Sequence, residues 1–328
     1  MYEKLTDKTE QFIGNYQILQ QEWKKERNAM VAAAAMIFVE QERTADPDRL
    51  ELCSQIVKKD TGILSVYRGT VRPILLANMS LSQDPEGYLE SVKKLVDSFS
   101  EKHIFDNSFA VPAAITLLEC ISPGYIDVYV RQAKEIFSLL REKYPNLTGK
   151  EDLPHSVMLA VADADPNLLL ADAGACFEIL KGFSGKDELQ ALCLTLSLSN
   201  MPPQEKCDKV LDIFRILKET GHEYGKSYEI TSLGALMVLE KSAEELADRI
   251  GHADDLLVKV KGLGSMGLGT AGRRMIAASL VLETDVKCSV CAVSDRAAEV
   301  ISSVNLSTAE MTMTKYLSSM ATAFAVEP

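Results

Sequence analysis

The residues in this chain that could do chemistry begin with Lys261–Arg274, KGLGSMGLGTAGRR, where Gly262, Gly264 and Gly267 stand at the G-x-G-x-x-G spacing of a turn that cradles a pyrophosphate at a helix start. Leu256–Val260 ahead of them could pass for a strand, and Glu283 lies where an acidic ribose partner would be sought. Against this, Leu246, Ile250, Leu257 and Val260 share one helical face. Gly269 and Gly272 would also weaken the helix that must follow, by about 0.5–1 kcal/mol each. No other strand of a parallel sheet is found. The stretch reads as an enlarged turn between two helices, whose amides, with Arg273 and Arg274, could hold an anion at a helix start.

A second grouping lies in TGILSVYRGTVRP, Thr61–Pro73. Tyr67, Arg68 and Arg72 place an aromatic ring and two cations in one inter-helix turn, a set able to grip a carboxylate or phosphate through paired N–H donors. The plainer reading is that Arg68 pairs with a neighbouring acid and Tyr67 packs. Cys288 and Cys291 form a C-x-x-C pair, but no second pair or suitably spaced histidines complete a zinc site, and they read as two core cysteines on one helical turn. His103, His155, His222 and His252 are scattered, with no H-E-x-x-H pattern. Asp163 and Asp165 are two apart and cannot share a helical face, and Asp254-Asp255 lacks the third acid of a magnesium motif. No residue is therefore assigned a catalytic or metal-binding role, and no cofactor is expected.

The elements that must position these groups are helical. Aromatic residues make up only 6% of the 328 residues, whereas Ala, Leu and Met are plentiful, a balance that suits closely apposed helices. The formal net charge of −12 works against nucleic acid as a partner, and the basic pairs never build a stripe. The longest apolar run, Ala29–Val39, is too short to cross a bilayer, begins too late for a signal peptide and ends without a cleavage pattern. The seven cysteines are odd in number and sit in apolar stretches, as reduced core residues do. The expectation is a cytoplasmic protein with no membrane partner.

Six junctions organise the chain: TADPDRL at Asp46, SQDPEGYL at Asp84, CISPGYI at Ser122, DADPNLL at Asp165, SNMPPQE at Met201 and EKSAEEL at Ser242, spaced 36 to 43 residues apart. A period of about 40 residues belongs to helical-hairpin repeats. At each junction an Asp or Ser can accept the orphan N–H groups of a helix start, with proline tolerated next; Met201 is the exception. Amphipathic helices follow, such as Leu89, Val92, Leu95, Val96 and Phe99, and near-copies AAITLLE, GALMVLE and AASLVLE supply inner helices apolar nearly all round. The fold expected is all-α: stacked hairpins forming an α-solenoid, able to close toward an α/α toroid. It is one domain over 1–328, with a capping helix in 1–28 (roughly Lys8–Arg27), about six helix pairs in 29–285 and a helical cap in 286–328.

The TGILSVYRG turn, followed by LANMSLSQDPEGYLE, resembles a family of bacterial proteins catalogued as domain of unknown function 4003. That resemblance implies a cytoplasmic helical protein and brings no catalytic residue with it. The function expected is binding rather than catalysis: recognition of a peptide, a protein or a small anionic ligand on a concave face, with Tyr67, Arg68 and Arg72 as contacts. The alternative is an enzyme whose helices close into a toroid around an acid/base site, with His155 as a proton carrier.

Overall fold

The computed structural model describes residues 2–99, 108–162 and 164–285. Fourteen α-helices succeed one another among them: α1 (Glu3–Glu22), α2 (Asn28–Glu40), α3 (Pro47–Asp60), α4 (Arg72–Leu81), α5 (Pro85–Phe99), α6 (Ala110–Cys120), α7 (Ile126–Lys143), α8 (Leu153–Val161), α9 (Pro166–Ile179), α10 (Lys186–Leu196), α11 (Pro203–Glu219), α12 (Ile230–Ala235), α13 (Ala243–Leu257) and α14 (Gly269–Asp285). No strand occurs among the described residues; Ile121 and Ala164 are single bridge residues. Cys288, Cys291, His103, Asp163 and the expected 286–328 cap lie outside the described residues.

The helices alternate in character. Odd-numbered ones bury a single stripe, such as Leu89, Val92, Leu95 and Val96 in α5, or Cys207, Val210, Ile213 and Leu217 in α11. Most even-numbered ones are buried on every side: Met30–Glu40 in α2, Pro73–Ser80 in α4 and all of α8 form unbroken buried runs. A helix apolar all round needs neighbours on both flanks as well as behind it. Each odd helix covers the even helix that follows it, and the even helices touch in sequence from α2 through α14. All of the described cysteines, Cys53, Cys120, Cys176, Cys193 and Cys207, are free and buried in this core.

The junction chemistry is as expected at four of six places. Asp46 accepts from Asp48 N and Arg49 N, Asp84 from Gly87 N at 3.0 Å, Asp165 from Asn167 N at 2.8 Å and Ser242 from Glu245 N at 3.2 Å. Ser122 makes no side-chain cap, because a 3₁₀ turn at Pro123–Tyr125 intervenes before α7. At the Met201 junction the cap position falls on Pro202, and α11 starts at Pro203. The first helix also differs from expectation, spanning Glu3–Glu22 rather than Lys8–Arg27. Tyr2 at its start offers no capping side chain, so nothing in the sequence marks that end. It is the outer helix of a first pair with α2, which makes seven pairs among the described residues.

The order of contacts returns to its beginning. α14 touches α2, and α1 touches both α13 and α14. Along this seam the Tyr2 ring stacks on His252 with centroids 4.4 Å apart, and Thr6 Oγ1 lies 3.0 Å from His252 Nε2. Lys4 Nζ donates to Thr284 O at 2.5 Å. Deeper in, Lys8 Nζ reaches Glu283 Oε1 at 3.3 Å, Glu42 Oε1 at 3.2 Å and the Val39 carbonyl at 3.3 Å; Lys8 and Glu283 are 8% and 6% exposed.

Because both charges are out of water, removing Lys8 takes from the buried Glu283 carboxylate the cation that balances it. Lys8→Met is expected to lower unfolding free energy by about 3–5 kcal/mol, and Lys8→Met/Glu283→Leu to recover most of it. Chemical denaturation of the two variants checks this; equal losses in both would show that the pair itself is not what the seam needs.

Candidate functional site

Side chains tie neighbouring connections together. Arg72 Nη1, at the start of α4, donates to Glu26 Oε1 at 2.8 Å in the turn 23–27. Ser184 donates to the Lys226 carbonyl, joining the turns after α9 and α11. Arg49 on α3 donates to the Ser80 and Ser82 carbonyls at the end of α4. Tyr67, Arg68, Arg72, Arg273 and Arg274, singled out in the sequence, lie in or just after the turns within helix pairs.

Tyr67, Arg68 and Arg72 each engage a different neighbour. Tyr67 is 8% exposed, and burial, reinforced by the charges of Asp97 and Glu90, pushes its phenol up to about 12. Arg68 closes the end of α3: Nε donates to Thr61 Oγ1 at 3.1 Å and Nη2 to the carbonyls of Thr61, at 2.6 Å, and Lys58. A cation on the last carbonyls of a helix suits both their lone pairs and the dipole. Arg72, besides holding Glu26, donates to Ser54 Oγ at 2.9 Å.

Arg72 also lines a cavity of about 370 Å³ between the end of α1, the first turn and α3. Trp23, Pro47 and Leu50 give it apolar walls, and Lys24, Lys25 and Arg72 line it together with Glu22, Glu26 and Glu51. Trp23 is the only tryptophan in the chain and is 8% exposed. Sequence reading missed all of these except Arg72. The available signal was a lone indole inside a run of charges, EWKKER, which no amphipathic helix face would choose.

The glycine stretch is a turn folded on itself. Leu268 N donates to Gly262 O at 2.8 Å and Gly269 N to Gly264 O at 3.1 Å, and Gly262 has φ +96°. A Cβ at Gly267 would fall 2.0 Å from the Gly262 carbonyl oxygen, and one at Gly262 would fall 2.6 Å from Tyr16 Oη on α1. Those two glycines are required by the turn's closure and by its seat against α1. Leu256–Val260 is the end of α13 and its following turn rather than a strand. Arg273, 6% exposed, is held by Asp254 through two bonds, at 2.6 and 3.2 Å. Arg274 lies 3.7 Å from the same carboxylate, with Nη2 3.5 Å from Gly221 O, and its own carbonyl accepts from Tyr224 at 2.8 Å. Arg273 is thus set inside the last pair, and Arg274 between that pair and the turn after α11.

His155 is 3% exposed near the start of α8, apart from the cavity. Burial drives its imidazole down to about 4, with a hydrogen bond to the Glu151 backbone pulling the other way. Asp152, 3.5 Å from its Nδ1, is pushed up to about 7 by burial and by the charges of Glu151 and Asp187, against a hydrogen bond from Gly149 N. On α10, which touches α8, Gln190 is 4% exposed, and neither amide atom has a hydrogen-bond partner among the described residues. Among the described residues no group of three or more His, Cys, Asp or Glu side chains is placed to hold a metal ion, and no helix is long and apolar enough to cross a membrane.

Fold and site together define an all-helical protein of packed neighbouring helices with a charged, indole-walled cavity beside the end of α1. The model of the family described as Protein of unknown function (DUF4003) matches residues 15–311, nearly the whole chain, and the protein belongs to that family. No curated protein and no solved structure matches it.

The two buried groups at the start of α8 titrate in opposite senses. Asp152 binds its proton more tightly folded than unfolded, so its contribution favours the fold at low pH and is lost as pH rises through about 7. His155 binds its proton less tightly folded, so its contribution is lost as pH falls through the range from 6.5 to about 4. Asp152→Asn keeps an acceptor for Gly149 N and removes only the first effect. Its stability relative to the parent should therefore climb between pH 5 and 8, by about 2–3 kcal/mol. Thermal unfolding across that range checks this; a difference independent of pH would refute it.

Proposed function

We propose that the chain is a binding protein whose seven hairpins close into an α/α ring, and that its ligand is a small zwitterion of the amino-acid or short-peptide class held in the Trp23–Arg72 cavity. The observation carrying this reading is the cavity itself. Its volume, about 370 Å³, is within the usual range for small-ligand sites. Its walls offer an indole and two aliphatic surfaces for an apolar side chain, with three cations and three carboxylates around them.

Equal numbers of opposite charges disfavour a simple anion, which would meet Glu22 and Glu51 as well as Lys24 and Lys25. A ligand carrying both a carboxylate and an ammonium satisfies both sets. Arg72 supplies the fixed point, since Glu26 and Ser54 already hold its guanidinium in place before any ligand arrives. The contact set first expected, Tyr67, Arg68 and Arg72, contracts in this reading to Arg72. The alternative of an acid/base enzyme is less well supported, because Asp152 and His155 do not line the cavity.

Trp23, as the sole tryptophan, makes the test direct. Tripeptides with free termini and an apolar central residue should shift its emission saturably, and the same peptides with both termini blocked should bind at least about tenfold more weakly. Arg72→Ala should weaken binding by a similar factor while Arg72→Lys keeps part of it. If no free tripeptide changes Trp23 emission or releases heat at millimolar concentration, the reading fails.

A further inference from the structure

The turns 61–71 and 258–268 flank the first turn on either side, and the three form one continuous edge. Arg72 ties the second to the first through Glu26, and Gly262 of the last sits against Tyr16 and Gln20 near the end of α1. On this edge Ile63 is 83% exposed, Leu64 94% and Met266 103%. Isolated exposed apolar residues are ordinary. These are not scattered: of the seven large apolar side chains exposed among the described residues, four lie in these two turns, the fourth being Val258.

Charge is distributed unevenly in the same place. The three turns together carry six lysines and arginines and one acid, Glu26, in a chain whose net charge is −12. That one acid is engaged by Arg72. Lys24, Lys25, Lys259 and Lys261 are all exposed. The edge is therefore a basic surface from which a few aliphatic side chains project singly or as a pair, with glycines beside them at Gly62 and Gly267 that shield nothing.

We propose that this edge lies against the surface of an anionic lipid bilayer, with Ile63, Leu64 and Met266 entering the headgroup–acyl boundary and the lysines of the neighbouring turns reaching the phosphates. A protein partner would need a contiguous apolar patch to fill its interface core, whereas these side chains stand apart on turn tips. A fluid acceptor takes each tip separately, and lysine stems lie along the boundary with their ammonium groups in water. Nucleic acid would use the cations and leave the aliphatic tips in solvent. The earlier expectation of no membrane partner rested on the length of apolar runs, which bears on crossing a bilayer and not on resting against one.

Sedimentation of the full chain with vesicles tests this. Phosphatidylcholine vesicles containing about one-third phosphatidylglycerol should carry down at least about tenfold more protein at low salt than phosphatidylcholine alone, and binding should fall severalfold at high salt. Ile63→Asp/Leu64→Asp, with unchanged circular dichroism, should lose at least about tenfold in binding, and so should Lys259→Glu/Lys261→Glu, neither of which touches the Trp23 cavity. Absence of binding to anionic vesicles, or equal binding to both kinds, overturns the proposal. So does loss with the lysine pair alone, which would mark the edge as a site for a soluble polyanion. Peptide binding at Trp23 is read separately and survives any of these results.

Discussion

A row of helices that are apolar on every side has no natural end. Each of α2 to α12 is covered by its own outer helix and by the inner helices on either flank, but the first and last members of an open row would each leave one flank in water. Here the first and last described helices have neighbours in each other: α14 touches α2, and α1 touches α13 and α14. The seam combines apolar contact with a buried ion pair, Lys8–Glu283, that can form in only one register. Hydrophobic contact alone is tolerant of sliding; a buried charge that must find its partner is not. The seat of Gly262 against Tyr16 at the other end of α1 fixes the same helix a second time.

The connections between helices carry cations whose partners lie elsewhere in the sequence: Arg72 holds Glu26, 46 residues away. Arg68 and Arg273 show what most of them do there: one holds the open carbonyls of α3, the other is clamped by Asp254 inside the joint of the last pair. Arg72 differs in combining a fixed guanidinium with an adjoining cavity. The division between cations that stabilise and cations that remain available is set by tertiary neighbours, not by residue type.

Much of the architecture was legible in the sequence because it rests on local chemistry. Asp46, Asp84, Asp165 and Ser242 cap their helices with their own side chains, an interaction confined to three or four residues, and the stripes of α5 and α11 are written at 3.6-residue spacing. Where a start lacks such chemistry, as at Tyr2 before α1, the boundary went astray by several residues. The glycine spacing was open to two meanings, and the one that holds depends on Tyr16 lying across the turn. The site was far less legible. Arg68 reads as a ligand contact from its grouping with Tyr67 and Arg72 in one turn, while the backbone carbonyls it holds leave no trace in a sequence. Trp23 and Glu26 come together with Glu51 and Arg72 only through the crossing of α1 by the second pair. The buried amide of Gln190, unpartnered among the described residues, carries no sequence signal at all.

The contacts of α1 with α13 and α14 also bear on how the chain is made. Thr6 meets His252, 246 residues later, and Lys4 meets Thr284, 280 residues later. A ribosome delivers α1 and α2 well before α13 and α14, so during synthesis the flank of α2 that meets α14 must wait for about 250 residues to emerge. Contacts this distant are slow to form, and apolar surface stays exposed while it waits.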